Sequence, residues 1–174
     1  MRRFVEMAEA QVTSGDLASA GHLMSYAFEF VPLPGVTTDF FAILAPACCR
    51  LLRGCRCVLA VDGNFVRPSE AVMSFASPVV DGGSSTQQQA AKTAELVASL
   101  GLAFTHPAVS ISPPLAREIG VRCVDASLLT ELLADLCTTH WRRCEDVDGE
   151  WLAWVLRELQ GDPQLSKQLP TLRK

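Results

Sequence analysis

The sequence lacks any long uninterrupted run of apolar residues, although 49% of its 174 residues are hydrophobic. A helix that spans a membrane needs roughly 18 such residues in succession, so we predict no membrane insertion. A secretory signal is missing too, because Arg2 and Arg3 are followed by Glu6 and Glu9 rather than by an apolar stretch. The length and the hydrophobic share instead predict one folded domain.

Residues and motifs of catalysis are scarce. The chain has only three histidines, and none belongs to a G-x-S-x-G turn or to another local pairing of nucleophile and base. Phosphate-binding loops of the G-x-x-x-x-G-K and G-x-G-x-x-G types are absent from the sequence as well. We therefore predict that the chain is not an enzyme and needs no cofactor.

Excess positive charge is also lacking, since the formal net charge is -4 and the pI is about 5.3. Binding to nucleic acid depends on clustered cations that neutralise phosphates, so we predict no nucleic-acid partner. One local group of basic residues stands out: Arg50, Arg53, Arg56 and Arg67. We interpret it as the solvated rim of an apolar helix.

Seven cysteines are present, an odd number, and no two of them form a C-x-x-C pair. This spacing is unlike the disulfide framework of a small secreted domain. We expect free thiols in a reducing compartment, which means the cytoplasm or the nucleus. Import into an organelle stays open.

A zinc site is one hypothesis for the cysteines near the end of the chain. Cys137, His140 and Cys144 fall at i, i+3 and i+7, so a helix would place them on one face. A structural zinc site needs a fourth ligand, which Cys123 or the 55 and 57 thiols would have to supply. The alternative is that Cys137 continues an apolar stripe and His140 lies at the negative end of the helix. We predict no metal and keep these three residues as the candidate ligands.

A reactive thiol is a second hypothesis. A strand through positions 55–57 would place Cys55 and Cys57 on the same face, and Arg53 and Arg56 would lower the pKa of a nearby thiol. The alternative is that both cysteines are ordinary members of the core.

Capping and stop signals predict most of the helices. Asp16 and Asp125 are placed to cap helices, and Gly54, Gly101 and Gly120 are placed to end them. The predicted helices cover residues 4–12, 17–28, 38–54, 90–100, 113–119, 125–137 and 151–159.

The third of these helices has the clearest periodicity. Phe40, Leu44, Cys48 and Leu51 recur at i, i+4, i+8 and i+11, and Phe41 and Leu52 widen the apolar stripe that they predict.

A hairpin is predicted between the third and fourth helices. Two β-favouring runs, residues 55–61 and 64–67, flank Asp62-Gly63, a pair typical of a tight turn. The fold class is therefore α+β, predominantly helical with a small antiparallel β-hairpin. We expect one module over residues 1–174; its alternative division is a half with helices and hairpin, 1–80, and a helical half, 90–174, joined by a Gly/Ser/Gln loop at 81–89.

A particular order of short phrases runs along the middle of the chain. The phrases are Phe30-Val31-Pro32-Leu33-Pro34-Gly35, Asp39-Phe40-Phe41, Cys57-Val58-Leu59, Asn64-Phe65-Val66-Arg67-Pro68-Ser69-Glu70, Leu100-Gly101-Leu102-Ala103-Phe104 and Leu115-Ala116-Arg117-Glu118-Ile119-Gly120-Val121. Over about residues 23–140, this series resembles the segment outside the ATPase domain of sacsin-like and NO VEIN-like proteins. Most of the matched positions are packing and turn residues, so no catalytic residue is carried over.

The resemblance implies chaperone-related work as a scaffold for other proteins. We therefore expect a non-catalytic protein-interaction module; the alternatives are a small accessory subunit of a large assembly and a thiol- or zinc-dependent enzyme. The ending of the sequence is similar to the entry into a further unit of that family, so we also expect a fragment or a short paralogue. The candidate partner-binding residues are Arg56, Arg67, Trp141, Trp151 and Trp154.

Overall fold

The computed structural model describes residues 1–35, 40–73, 84–139 and 149–161, and it divides the chain into two compact units. Unit 1 comprises Met1–Ser74 and Leu102–Arg122, and unit 2 comprises Phe75–Gly101 and Cys123–Lys174. Each unit therefore takes two separate segments of the chain, whereas the expected division was sequential. Within the described ranges, no helix has the length and apolar character to cross a membrane.

The chain is α+β and mostly helical, as predicted. The helices found among the described residues are α1 (Arg2–Thr13), α2 (Leu17–Glu29), α3 (Phe40–Gly54), α4 (Ser84–Ser99), α5 (Pro113–Ile119), α6 (Ala126–Thr139) and α7 (Gly149–Gly161), with a 3-10 turn at Pro68–Glu70. The strands found there are β1 (Val58–Leu59), β2 (Phe65–Val66), β3 (Ala71–Met73), β4 (Ala103–Phe104) and β5 (Arg122–Cys123).

The predicted caps are confirmed in both units. The Asp16 carboxylate accepts a hydrogen bond from the Ser19 backbone N–H at 3.0 Å, at the start of α2. The Asp125 carboxylate accepts one from the Leu128 N–H at 2.9 Å, at the start of α6. Each carboxylate satisfies a backbone donor that the first turn of a helix would otherwise leave without a partner. Gly120 ends α5 with a positive φ of 87°, as expected for a glycine just past a helix.

The hairpin is confirmed, with a turn of three residues. Val58 pairs with Val66 and Leu59 with Phe65 in antiparallel register. The Ala60 N–H donates to the Asn64 carbonyl at 2.9 Å, and the Gly63 N–H donates back to the Ala60 carbonyl at 3.0 Å. Gly63 has a φ of 83°, which a residue without Cβ adopts at little cost.

A three-stranded sheet with the order β4-β3-β5 is the feature that the sequence analysis missed. β3 and β4 are parallel, with Ala71 opposite Ala103 and Val72 opposite Phe104. Strands of two or three residues are too short to show an alternating pattern in the sequence, so their pairing could not be predicted from it. The Pro68–Glu70 turn leads directly into β3.

The core of unit 1 is built from α2, α3, α5 and both sets of strands. Its buried members include Met24, Phe28, Leu52, Leu59 and Ile119. α1 packs along α2, and α3 packs against α5 and the 3-10 turn.

A second contact in unit 1 joins α2 to residues 106–110. The Ser25 hydroxyl donates to the Ala108 carbonyl at 2.8 Å and accepts from the Ser110 N–H at 2.7 Å. The His106 N–H donates to the Leu59 carbonyl at 2.9 Å. A Cβ on Gly21 would lie 2.7 Å from the Ala108 Cβ and 3.2 Å from the His106 Nδ1, so only glycine fits this approach.

Unit 2 is a helical packing of α7 against α4 and α6. Its fully buried side chains include Val97, Leu128, Leu132, Trp151 and Val155. The expected loop over residues 81–89 is wrong for its second part, because α4 already begins at Ser84; residues 81–83 lie outside the described part. Gln87, Gln88 and Gln89 favour a helix once its first turn is formed, and the polar composition hid that preference.

Candidate interaction surface

The described residues contain no group of three or more metal-ligating side chains. This finding does not cover the candidate zinc ligands. His140 and Cys144 are outside the described residues, and so is the side chain of Cys137. The candidate partner-binding residue Trp141 is outside them as well.

Trp151 is a correction to the predicted contact surface. Its side chain is 0% exposed, and its indole N–H donates to the Thr93 hydroxyl at 2.9 Å. A tryptophan at the first turn of α7 is large enough to fill the space toward α4, and the burial of its ring outweighs the cost of burying its one polar group. Trp151 therefore stabilises unit 2 and offers no surface to a partner, whereas Trp154 is half-buried.

Cys55 and Cys57 are a second correction, because the structure separates them by environment. Cys55 is exposed, and Cys57 is fully buried with its Sγ 4.0 Å from the Leu52 carbonyl. The strand begins only at Val58, so the two thiols do not share a face of it. Burial raises the pKa of Cys57 to about 12, the opposite of the change that would make it nucleophilic. Burial also raises the pKa of Cys49, which lies on α3.

The candidate functional surface comes instead from α3. Its buried side chains are Ala45, Cys49 and Leu52. Two large apolar side chains of the same helix face solvent, Ile43 with 77% and Leu51 with 72% of its surface exposed.

Two further apolar side chains extend the exposed region of α3. Leu44 is 40% exposed, and Ala47 is exposed between Ile43 and Leu51. We call Ile43, Leu44, Ala47 and Leu51 the outer face of α3.

The predicted stripe of α3 is right for Leu52, which is buried, but its other described members face away from the core. The side chain of Phe40 lies outside the described ones, but Leu44 and Leu51 are exposed and Cys48 is only half-buried. At about 100° per residue, the apolar side chains of α3 cover roughly two thirds of its circumference. Such a wide arc contains more than one stripe with helical spacing, so periodicity does not determine which part of it meets the core.

One arginine side chain borders this surface, and two more arginines follow it along the chain. Arg50 is exposed and lies one turn beyond Ala47 on the helix. Arg53 follows in the last turn, where its Nε donates to the Glu118 carbonyl at 2.7 Å and its Nη2 lies 4.0 Å from the Glu118 carboxylate. Arg56 is exposed two residues past the end of the helix.

Arg67, the other arginine of the predicted contact surface, is exposed at the end of β2. Its backbone N–H donates to the Glu70 carboxylate at 3.1 Å, which stabilises the Pro68–Glu70 turn and leaves the guanidinium at the surface. Both predicted hairpin arginines, Arg56 and Arg67, are therefore exposed.

An aromatic cluster on α1 and α2 is a second exposed apolar feature of unit 1. Tyr26 is 53% and Phe30 65% exposed, and their ring centroids are 4.8 Å apart in an edge-to-face arrangement. Phe4 of α1 lies 6.4 Å from the Tyr26 ring. This cluster was not predicted from the sequence, although His22, Tyr26 and Phe30 form a stripe at i, i+4 and i+8 that excludes the buried positions of α2.

Known proteins provide no independent assignment of this surface. Comparison with protein-family models, with curated proteins and with solved structures found no match. A functional proposal therefore depends on the geometry and chemistry of the exposed residues.

Proposed function

We propose that the chain is a non-catalytic protein-interaction module that acts as a scaffold and binds its partner through the outer face of α3. The observation that carries this proposal is the exposure of Ile43 and Leu51, 77% and 72%, one turn on either side of Ala47. Single exposed apolar residues are common, but a contiguous row of them exposes apolar area that association with another protein would remove from water.

The sacsin-like resemblance supports a chaperone-related setting for this interaction, in the cytoplasm or the nucleus. The resemblance concerns the segment outside the ATPase domain, so the proposal assigns no ATPase activity to this chain. The exposed guanidinium groups of Arg56 and Arg67 add to the same proposal, because arginines contribute strongly to protein–protein contacts.

Quantitative affinity capture from cells with surface variants tests the proposal. The wild-type chain is compared with a double variant, Ile43→Asp with Leu51→Glu, and with a matched control, Leu156→Glu. Leu156 is another exposed leucine, 47% exposed, on a different helix. We expect the partners of the wild-type chain to be retained by the control and lost from the double variant, with similar urea unfolding curves for all three.

Identical partners for all three proteins would contradict this role of α3. A single complex of fixed stoichiometry, stable through size-exclusion chromatography, would instead identify the chain as an accessory subunit of a large assembly. Several chaperones or clients in substoichiometric amounts would favour the scaffold.

A further inference from the structure

The shape of the outer face of α3 favours a helical partner. Ile43, Ala47 and Leu51 lie at i, i+4 and i+8, which forms a nearly straight row of about 12 Å along the helix. Ala47 is the smallest of the three, so it leaves a depression between two larger side chains. Rows of this kind receive the side-chain ridge of a second helix, as in other helix-in-groove contacts.

The charge beside this row sets the chemistry of that helix. Arg50 lies at i+3 from Ala47 and i+7 from Ile43, so it forms a positive edge beside these two residues. Arg53 lies about 200° around the helix from Leu51, where it contacts Glu118 instead of the row. Among the described residues, Arg53 is the only one of Arg50, Arg53 and Arg56 with an ion pair, to Glu118. This positive edge is opposite in sign to the chain as a whole, whose net charge is -4.

We infer that the outer face of α3 binds an amphipathic helix of a partner protein, with acidic residues on the side of its apolar stripe that faces Arg50. The inference rests on the proposed function and adds the chemical class of the partner. Carboxylates placed there would speed association and orient the helix, because complementary charges act on encounter and register.

A second copy of the chain fits this surface less well. A two-fold contact between antiparallel α3 helices would place Arg50 of both copies on the same side of the interface. Like charges across an interface oppose association, and α3 itself contains no carboxylate that could pair with these arginines. The acidic partner is therefore the occupant to which the inference commits.

A selection experiment with the full chain tests this inference. The probe is a phage-displayed library of helical peptides of about 16 residues, roughly four turns, with leucine at i, i+4, i+7 and i+11 and with Glu, Lys, Gln or Ala at the flanking positions. We expect the enriched peptides to carry Glu predominantly along one edge. Synthetic copies of the best peptide and of its Glu-to-Lys counterpart are then measured by fluorescence anisotropy at low and high salt.

Variants of the chain locate the binding site. Leu51→Glu should lower the affinity for the acidic peptide about thirtyfold or more, as expected for a buried anchor of an interface. Arg50→Glu should lower the affinity for the acidic peptide about three- to tenfold and should make the Lys peptide the tighter binder of the two. High salt should reduce both effects. Leu156→Glu and Arg3→Glu, the matched controls on α7 and α1, should leave the affinity unchanged.

Each other outcome overturns the inference. Peptides that need Leu51 but show no acidic preference would refute the acidic partner and leave the protein-interaction module standing. The selection could also enrich no peptide while analytical ultracentrifugation shows a dimer that depends on Leu51. That result would assign the surface to a second copy. Failure to enrich any peptide from a monomeric chain would remove the helix-binding role.

Discussion

Burial separates the chemistry of cysteines that the sequence places side by side. Cys57 is buried beneath the hairpin, and this burial raises the pKa of its thiol to about 12. Because that pKa is raised above its ordinary value of 9.0, the burial contributes stability below about pH 9 and loses this contribution as the pH rises toward 12. Cys55, two residues earlier, is exposed.

We therefore expect an alkylating reagent to distinguish the two thiols. With iodoacetamide at about pH 8, Cys55 should be modified in the native chain. Cys57 should stay unmodified, because its raised pKa keeps the thiol protonated and its burial keeps the reagent away. Peptide mapping by mass spectrometry measures both sites. In urea both cysteines should react, and equal rates in the native chain would contradict the structure.

The close approach at Gly21 makes a second prediction for a single residue. Gly21→Ala would gain up to about 1 kcal/mol from helix propensity, but its Cβ would lie 2.7 Å from that of Ala108. Residues 106–110 are held by hydrogen bonds to α2 and to β1, so they cannot move away without cost. We expect a net loss of about 1–3 kcal/mol in the free energy of unfolding, measured in urea.

Gly54→Ala is the matched control, because a Cβ at Gly54 meets nothing within 4 Å. It should leave the stability unchanged or raise it slightly. Equal effects of the two substitutions would show that the contact with Ala108 is not tight.

At the scale of elements, the hairpin turn depends on the charge of Asp62. The Asn64 backbone N–H donates to the Asp62 carboxylate at 3.0 Å, and the Asn64 side-chain amide donates to it at 2.8 Å. These hydrogen bonds lower the pKa of Asp62 below its ordinary value of 3.8, the backbone one first. A lowered pKa in the folded state means that the carboxylate contributes stability above about pH 4 and loses it as the pH falls through the folded-state pKa.

We expect Asp62→Asn to remove this part of the acid sensitivity. Its side-chain oxygen can still accept from the Asn64 N–H, so the turn is kept while the titration is lost. Between about pH 5 and about pH 2, the free energy of unfolding measured in urea should fall less for the variant than for the wild-type chain. The difference should be less than about 1 kcal/mol, since the carboxylate is largely solvated. The same pH dependence for both proteins would show that the charge of Asp62 does not stabilise the turn.

Elements with a local cause were predictable from the sequence. Asp16 and Asp125 cap helices because their carboxylates reach N–H groups only three residues away, and Gly63 turns the hairpin because of its own φ. β3 and β4 have no such local signal, since Ala71 and Ala103 meet through a pairing across thirty-two positions. The outer face of α3 was hidden for a related reason: which part of a wide apolar arc is buried depends on α5 and on the 3-10 turn packed beside it.

At the scale of the whole molecule, a scaffold without ATPase activity should be indifferent to nucleotide. A ligand at a hundred times its Kd stabilises the native state by about 2.7 kcal/mol and raises the Tm by several degrees. We therefore expect the same Tm with and without ATP and magnesium in differential scanning fluorimetry. A shift of several degrees would contradict the proposed absence of a nucleotide site.

The two-segment composition of unit 1 makes a prediction about truncation. A chain that ends at residue 80 contains Met1–Ser74 but lacks Leu102–Arg122, and with it β4 and α5. It also loses the core residues Ile111, Leu115 and Ile119. We expect residues 1–80 to show no cooperative unfolding by circular dichroism, whereas residues 1–122, which contain all of unit 1, should show it. Cooperative unfolding of the shorter piece would contradict this account of the core.

The parallel pairing of β3 with β4 also sets an order of events during synthesis. When Ala71 leaves the ribosome, its strand partner Ala103 is thirty-two residues behind and has not yet emerged. At roughly 5–20 residues per second, the apolar strand Ala71–Met73 is without its partner β4 for seconds. During that interval the nascent chain exposes a strand edge and part of its core, so the speed of translation over α4 becomes a determinant of how much of the protein reaches its folded state.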